Sequence, residues 1–512
     1  MICSMAFALT NCSTTKQNKV LPPANPTTYA NSITASELKD MLYTYASDEF
    51  EGRLTGAPGQ KKAVNYLKQQ YIDLQIPSAL PNDQYFQKVP LEIRQHPTTT
   101  LSLNGETKTE YTDFITIGSA ASQTFTTNDI VYVGYGIDDA NYSDYKNIDV
   151  TGKIVLLKAG EPKNTDGTYV TSGDTKETIW SKGRRARSQK INTAKEKGAK
   201  AFIIMNENSF QPLVDYYQKL IKSGAKGRIS LIEKDAVEFP VFMITEKLAK
   251  TFYSDILTDN NAKSISANLN YNITTKTETV DSENVAAFIK GSEKPDEILV
   301  ISAHLDHEGI KNGLVYNGAD DDGSGTVAIL EIAEAFKAAL NDGYAPKRSI
   351  LFLHVTGEEK GLLGSRHYTD NSPIFPLENT VADLNIDMIG RVDDKHKDNR
   401  NFLYLIGSDK LSTQLHELSE AVNEKYTKID LDYTFNDEKD RNRYYYRSDH
   451  YNFAKNNIPV IFYFNGTHAD YHKPTDTPDK IEYDLLENRT RLVFYTAWEI
   501  ANREDRLIVD KQ

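Results

Sequence analysis

The sequence predicts an α/β protein whose main domain carries an open, mostly parallel sheet. Three observations lead there. Four short runs, residues 297–304 (EILVISAH), 348–359 (RSILFLHVTGEE), 381–388 (VADLNIDM) and 458–468 (IPVIFYFNGTH), are apolar on both faces, as strands buried inside a parallel sheet are. Helical patterns separate them; in residues 326–340, Ile329, Ile332, Ala333, Phe336 and Leu340 form one stripe. The chain is also long, at 512 residues, with 39% hydrophobic and 26% charged residues, so a soluble fold of two or more domains is expected.

In chain order, the first 33 residues read as a leader and tether. MICSMAFALTNC contains a short apolar run followed by LTNC, a lipobox-like stretch that makes Cys12 a candidate lipid anchor. This predicts an exported protein, a periplasmic or cell-envelope lipoprotein, with plain secretion as the alternative. Residues 13–32 are rich in Ser, Thr, Asn and Pro and read as disordered. At Thr34 the pattern becomes helical: Thr34 and Glu37 have capping-box spacing, and Leu38, Met41, Leu42 and Tyr45 line one face. A Gly-rich loop over 47–60 precedes a second helix at 61–71. Residues 34–126 are assigned to the main domain.

From about residue 127 the character changes. Strand-like runs at 129–137, 152–160 and 239–245 and a helix-then-strand pattern at 191–206 mark a separate, β-rich block over 127–275. It holds no dense His/Asp/Glu cluster, and its charge runs GRRARSQK and EKGAK read as solvated surface. The main domain resumes at 276–512.

Composition excludes several functions. The net charge of −13 argues against nucleic-acid binding. No apolar run approaches the ~20 residues of a membrane span. The only cysteines are Cys3 and Cys12, so the body has no internal disulfide and no thiolate chemistry.

Chemistry gathers where the four apolar runs end. The first ends in His304, Asp306 and His307, the second in Glu358 and Glu359, the third in Asp387, and the fourth leads to Tyr471 and His472. GADDDGSG (318–325), with three consecutive aspartates, opens a helix between the first two. In open α/β sheets ligands bind beyond the carboxyl ends of the strands, so these residues converge. Nine of the ten histidines fall within 304–472. Imidazoles and carboxylates without thiolates suit zinc or, less selectively, manganese or cobalt. A cation offsets the crowded aspartates; Asp321 is the candidate to bridge two ions, while Asp320 and Asp322 hold the loop or the helix N-terminus. Glu358 and Glu359 split into one metal donor and one proton acceptor.

The stretches SAHLDH, GADDDGSG, TGEEKGLLGS, NIDMIG, RSDHYNFAKNNIP and YHKPTDT together resemble the co-catalytic dizinc exopeptidases that include bacterial leucyl aminopeptidases and glutamate carboxypeptidase. Residues 127–275 resemble the protease-associated domain inserted in such enzymes. The resemblance implies a three-layer α/β/α peptidase domain and two zinc ions per chain, one held by His304 and Asp387, the other by Glu359 and His472, with Asp321 bridging. It implies Glu358 as general base, Asp306 as the residue orienting His304, and Tyr471 as a hydrogen-bond donor to the tetrahedral intermediate. Ser448, Asp449 and His450 become possible substrate contacts. Peptides are the implied substrates and an aminopeptidase the implied activity. A carboxypeptidase or dipeptidase is the alternative, followed by a glutaminyl-cyclase-like enzyme or a non-catalytic peptide-binding lipoprotein. Asp320 or Asp437 are candidates to hold a substrate amine; Arg366, Arg391, Arg441, Arg443 or Arg447 are candidates for a carboxylate. His354, inside an apolar run, is expected to be structural, as are His307, His367, His450 and His468.

Overall fold

The computed structural model describes residues 24–224, 226–232 and 238–511, so Cys12 and its leader lie outside the described residues. The chain forms two compact units. One takes the chain up to Val89 and again from Ser282; the other is Pro90–Asp281.

In the first unit the four apolar runs are adjacent strands. Lys294–His304 lies at the centre, parallel to Arg348–Val355 on one side and Thr380–Ile386 on the other, and Val460–Phe464 continues the parallel set. Phe402–Ile406 joins antiparallel beyond it, with Asp430–Asp432 outermost, and Thr277–Ile289 runs antiparallel at the opposite side. The register pairs His304 with Val355 and Ser302 with Asn385, so all four strands release their polar tails at one end of the sheet.

Alternation along the strands makes three layers. Leu299, Ile301, Ile350 and Phe352 point into one core, built with the helices Ala35–Tyr45, Pro58–Asp73, Gly325–Asn341 and Tyr483–Asn502. Ile298, Val300, Leu351 and Leu353 point the other way, against Tyr368 and Phe453. The first long helix starts as its capping box requires: Glu37 N–H donates to Thr34 Oγ1 at 3.2 Å, and Leu38, Leu42 and Tyr45 are fully buried. The loop at 47–60 is shorter than expected, because a 3₁₀ turn at Asp48–Arg53 and the next helix, from Pro58, take up most of it.

The second unit has its own eight-stranded sheet, with parallel strands Gln123–Tyr132, Ile154–Lys158, Ala201–Met205 and Val241–Ile244 at its centre and the helices Gly183–Glu196 and Glu207–Lys222. It begins earlier than the expected boundary at 127. Thr98–Leu103 pairs with Lys263–Thr274 and Phe114–Thr116 with Val241–Ile244, so residues assigned above to the main domain complete this sheet. Lys190, at the end of the GRRARSQK run, is buried rather than solvated and donates to the Gly160 carbonyl at 2.5 Å. No helix among the described residues is long and apolar enough to cross a membrane.

Candidate metal centre

The centre lies entirely within the first unit, at the polar end of its sheet. His304 is the last residue of the central strand and is 1% exposed. Its Nε2 stands 3.1 Å from Asp321 Oδ1 and 3.7 Å from Asp387 Oδ1. The other oxygen of Asp321, Oδ2, is 3.0 Å from His472 Nε2, which is 3.2 Å from Glu359 Oε1. The two oxygens of one carboxylate thus face two separate donor groups, as a carboxylate bridging two cations must.

The donor atoms fit divalent cations. His304 Nε2, Asp321 Oδ2 and Glu359 Oε1 are buried and satisfy no hydrogen bond among the described residues, although opposing polar atoms stand near 3 Å. Buried polar atoms without partners are costly, and imidazole–carboxylate sets without sulfur suit zinc. The electrostatics agree. Burial disfavours charge on His304 and His472, but the facing carboxylates outweigh it, holding the His304 pKa well above its usual value and raising that of His472 to about 10. Burial also works against Glu359, yet His307 and His472 pull its carboxyl down to about 2.

The three consecutive aspartates do three different things. Asp320 is fully buried: Oδ1 accepts the Gly390 N–H at 2.7 Å, and Oδ2 accepts from Asn465 at 3.1 Å and faces His468 Nε2 at 3.1 Å. Asp322 Oδ1 accepts from the Gly325 and Met388 N–H groups, at 2.9 and 3.1 Å, tying the start of the following helix to the end of the Thr380–Ile386 strand. Of the three, Asp321 is the one that faces His304 and His472. Its own N–H, with that of Asp320, is held by the buried Asp476 carboxylate.

Glu358 projects beside this group. Burial, reinforced by the carboxylates of Glu359, Asp387 and Asp449 against the opposing His304, pushes its carboxyl well above the ordinary range. Its backbone N–H donates to Asp306 Oδ1 at 3.1 Å. Asp306 also reaches His304, but through its carbonyl, 3.0 Å from Nδ1. Its carboxylate is 3.9 Å from that nitrogen and is occupied by Thr55 Oγ1 at 2.6 Å.

Tyr471 lines the pocket, stacked on His472 with ring centroids 3.9 Å apart, and Arg447 Nη2 lies 3.5 Å from its hydroxyl. Burial and the surrounding carboxylates raise its pKa, so it stays a protonated donor. Met388, Tyr444, Phe462 and Phe464 also line the pocket and form the apolar cluster against which Tyr471 packs.

Other expectations change. Ser448, Asp449 and His450 are buried at 1%, 0% and 0% exposure, out of a substrate's reach. Ser448 donates to Asp387 Oδ2 at 2.6 Å and accepts from Asn385 at 2.9 Å; Asp449 bonds Ser365; His450 stacks on Phe462. Asp320 is fully engaged and cannot hold a substrate amine. Arg391 pairs with Asp470 at 3.0 Å, which leaves Arg447 as the arginine of the expected set that lines this pocket. His354 bonds the Tyr71 hydroxyl at 2.8 Å inside the core, as expected of a structural histidine. Two residues take places the sequence did not assign them. Arg53, fully buried, donates to the carbonyls of Leu305, Tyr45, Asn317 and Gly318 and so joins the two loops that bear His304 and Asp321. His307 Nδ1 comes within 2.9 Å of Glu359 Oε1.

Residues 284–497 match the model of peptidase family M28, and residues 126–252 match that of the PA domain. The M28 segment holds every candidate donor and Glu358; the PA segment falls within the second unit. Among curated proteins, the chain is 28% identical over 232 residues to aminopeptidase YwaD of Bacillus subtilis, covering 44% of this chain and 46% of that one. It is 35% identical over 104 residues to the probable glutamate carboxypeptidase VP8 of Zea mays, covering 20% of this chain and 14% of that one. The matches thus span less than half the length of these relatives. A solved aminopeptidase from Aneurinibacillus sp. strain AM-1 superposes with a TM-score of 0.48 at 20% identity, covering 95% of this chain and 98% of that chain.

Proposed function

We propose that the chain is a zinc-dependent exopeptidase of the aminopeptidase type, releasing N-terminal residues from peptides. The observation that carries this reading is Asp321, whose two oxygens face His304 and His472 in separate donor groups, with Glu358 beside them. Two zinc ions held by His304, Asp387 and Asp321 and by Asp321, Glu359 and His472 would polarise the scissile carbonyl and lower the pKa of a water towards ~7. Glu358, anchored through its N–H on Asp306, accepts the water's proton and returns it to the leaving amine. Tyr471, kept protonated, donates to the developing oxyanion, and Arg447 holds its hydroxyl. Ser448 fixes Asp387, and the Asp306 carbonyl fixes the ring of His304.

The aminopeptidase polarity follows the B. subtilis relative. A carboxypeptidase or dipeptidase is the second reading, favoured by Arg447 at the pocket and by the maize relative. An exported location with Cys12 as lipid acceptor belongs to the proposal, and mass spectrometry of the membrane fraction tests it.

Short peptides blocked at the N-terminus, the C-terminus or neither separate the readings. Hydrolysis stopped only by the N-terminal block, with Glu358→Ala inactive but still holding two metals, is the expected result. Hydrolysis stopped only by a C-terminal block moves the reading to a carboxypeptidase. No hydrolysis by the metal-loaded protein overturns both.

A further inference from the structure

His307 lies three residues past His304 and is fully buried. Its Nδ1 is 2.9 Å from Glu359 Oε1 and 3.8 Å from Asp321 Oδ2. That is close enough for a hydrogen bond, yet none forms. Neither ring nitrogen of His307 has a hydrogen-bond partner among the described residues, and Glu359 Oε1 and Asp321 Oδ2 have none either. Atoms that approach this closely without aligning a proton between them behave as donors turned towards a common point.

The distances support one point. His472 Nε2 closes the group from the other side, 3.0 Å from Asp321 Oδ2 and 3.2 Å from Glu359 Oε1. Four donors at ~2.0–2.2 Å from one tetrahedral ion stand ~3.3–3.6 Å apart. Three of the four separations here, 2.9, 3.2 and 3.0 Å, lie slightly below that range and the fourth, 3.8 Å, above it, and His307, Asp321 and Glu359 each offer a ligand atom within 4.8 Å of the others. The two imidazoles cross at 73° with centroids 5.7 Å apart, so both reach inward without stacking. The backbone supports the placement. His307 N–H is held by the Arg53 carbonyl at 3.3 Å, and Gly318 leaves room for the ring, since a Cβ there would stand 2.5 Å from His307 Cγ.

We propose that His307 is a fourth protein donor, through Nδ1, at the cation position shared by Asp321, Glu359 and His472. This deepens the two-zinc reading and rests on it. It makes the two positions unequal. The one at His304, Asp387 and Asp321 has three protein donors; the one at His307 would have four and hold its ion more tightly. The rival role for His307 is an outer partner that only orients Glu359.

The test is metal binding by the full chain, stripped with a chelator and titrated with Zn²⁺ by calorimetry and with Co²⁺ by visible absorption. Wild type is expected to take two ions, one tightly. His307→Ala is expected to keep the weaker ion unchanged, to bind the tight one more than ~100-fold less well, beyond the ~10–100-fold of an outer partner, and to lose part of the cobalt ligand-field absorption. Two ions bound by the variant with wild-type affinities and spectrum overturn the proposal and leave the two-zinc reading standing. So does a milder weakening with an unchanged cobalt spectrum. Fewer than two ions in wild type overturns the two-zinc reading itself. If His307→Ala does not fold, His307→Gln replaces it, and zinc X-ray absorption of the wild type decides directly. Three imidazoles shared by two ions are expected; two overturn the assignment.

Discussion

Arg53→Met tests how the donor loops are held. Arg53 is fully buried, and its guanidinium donates to four carbonyls: Leu305 at 3.1 Å, Tyr45 at 3.3 Å, Asn317 at 2.7 Å and Gly318 at 2.9 Å. Methionine keeps much of the volume and removes every donor. Leu305 retains the Tyr45 hydroxyl at 2.9 Å, and the Gly318 carbonyl retains the Gly323 N–H at 3.1 Å. The Tyr45 and Asn317 carbonyls lose the Arg53 bond. At ~1–3 kcal/mol for each acceptor stranded in the interior, offset by no longer burying a cation, the loss is about 3 kcal/mol. For a unit of about 300 residues, at ~2.1 cal/mol/K of unfolding entropy per residue, that lowers Tm by roughly 5 °C. Because Asn317 and Gly318 lead into Asp321, metal affinity falls with it, by ~10–100-fold. Thermal unfolding and zinc titration of the same samples check both. A variant that melts and binds zinc like wild type refutes the reasoning, since the loops would then be held by their own turns.

Ser448→Ala removes the 2.6 Å hydrogen bond to Asp387 and strands the buried Asn385 amide, so it is expected to weaken the ion at His304 and Asp387 by ~10–100-fold in calorimetry and to cost ~1–3 kcal/mol of stability. Gly318→Ala places a Cβ 2.2 Å from the Asp321 carbonyl oxygen at a φ of +54°, so it costs at least ~1–3 kcal/mol in urea unfolding and lowers metal content. Glu331, 2% exposed, has its pKa raised to about 8 by burial and by Glu37 and Glu334. The folded chain therefore holds this proton over a range where the unfolded chain, near ~4.3, has released it, and stability falls as pH rises from about 5 to 8. Glu331→Gln is expected to flatten that fall, read as a smaller difference in Tm between the two pH values. Chelation is expected to lower Tm and added zinc to restore it, by ~2.7 kcal/mol when free zinc is a hundredfold above its Kd.

The parallel sheet was legible because each strand announces itself locally. Val300 and Ile301, or Leu351 and Phe352, are apolar on both faces, and nothing but a buried strand wants that. The donors were legible because they sit where those runs stop. What stayed hidden depends on partners far away in sequence. Arg53 is one charge in an ordinary-looking loop, and only the fold brings the carbonyls of 305, 317 and 318 around it. Ser448 and Asp449 carry polar side chains on a stretch read as a pocket loop; inside the fold they bond Asp387, Asn385 and Ser365, which no local pattern reveals. His307 repeats the residue type of His304 but lies beyond the strand, so periodicity gives no direction for its ring. The early start of the second unit was missed because Thr98–Leu103 and Phe114–Thr116 are short and join the sheet through Lys263–Thr274 and Val241–Ile244, more than a hundred residues later.

The charge balance explains why such a site calls for ions at all. Asp321, Glu358, Glu359 and Asp387 crowd one end of the sheet, and burial of unpaired carboxylates is costly. The nearby fixed cations are spent elsewhere: Arg53 on carbonyls, Lys360 on Glu308 at 3.4 Å, and Arg391 on Asp470. Arg447 reaches the Tyr471 hydroxyl, on the pocket side. What remains to balance the carboxylates is a proton on each histidine or a cation between them. A proton on Nε2 of His304 or His472 compensates only one nitrogen and leaves the buried oxygens of Asp321 and Glu359 poorly aligned. A divalent ion at the same place compensates two carboxylates at once and satisfies every donor facing it. The cluster is therefore built to be incomplete as protein, and its lone-standing Asp321 is the residue through which two such ions would be tied together.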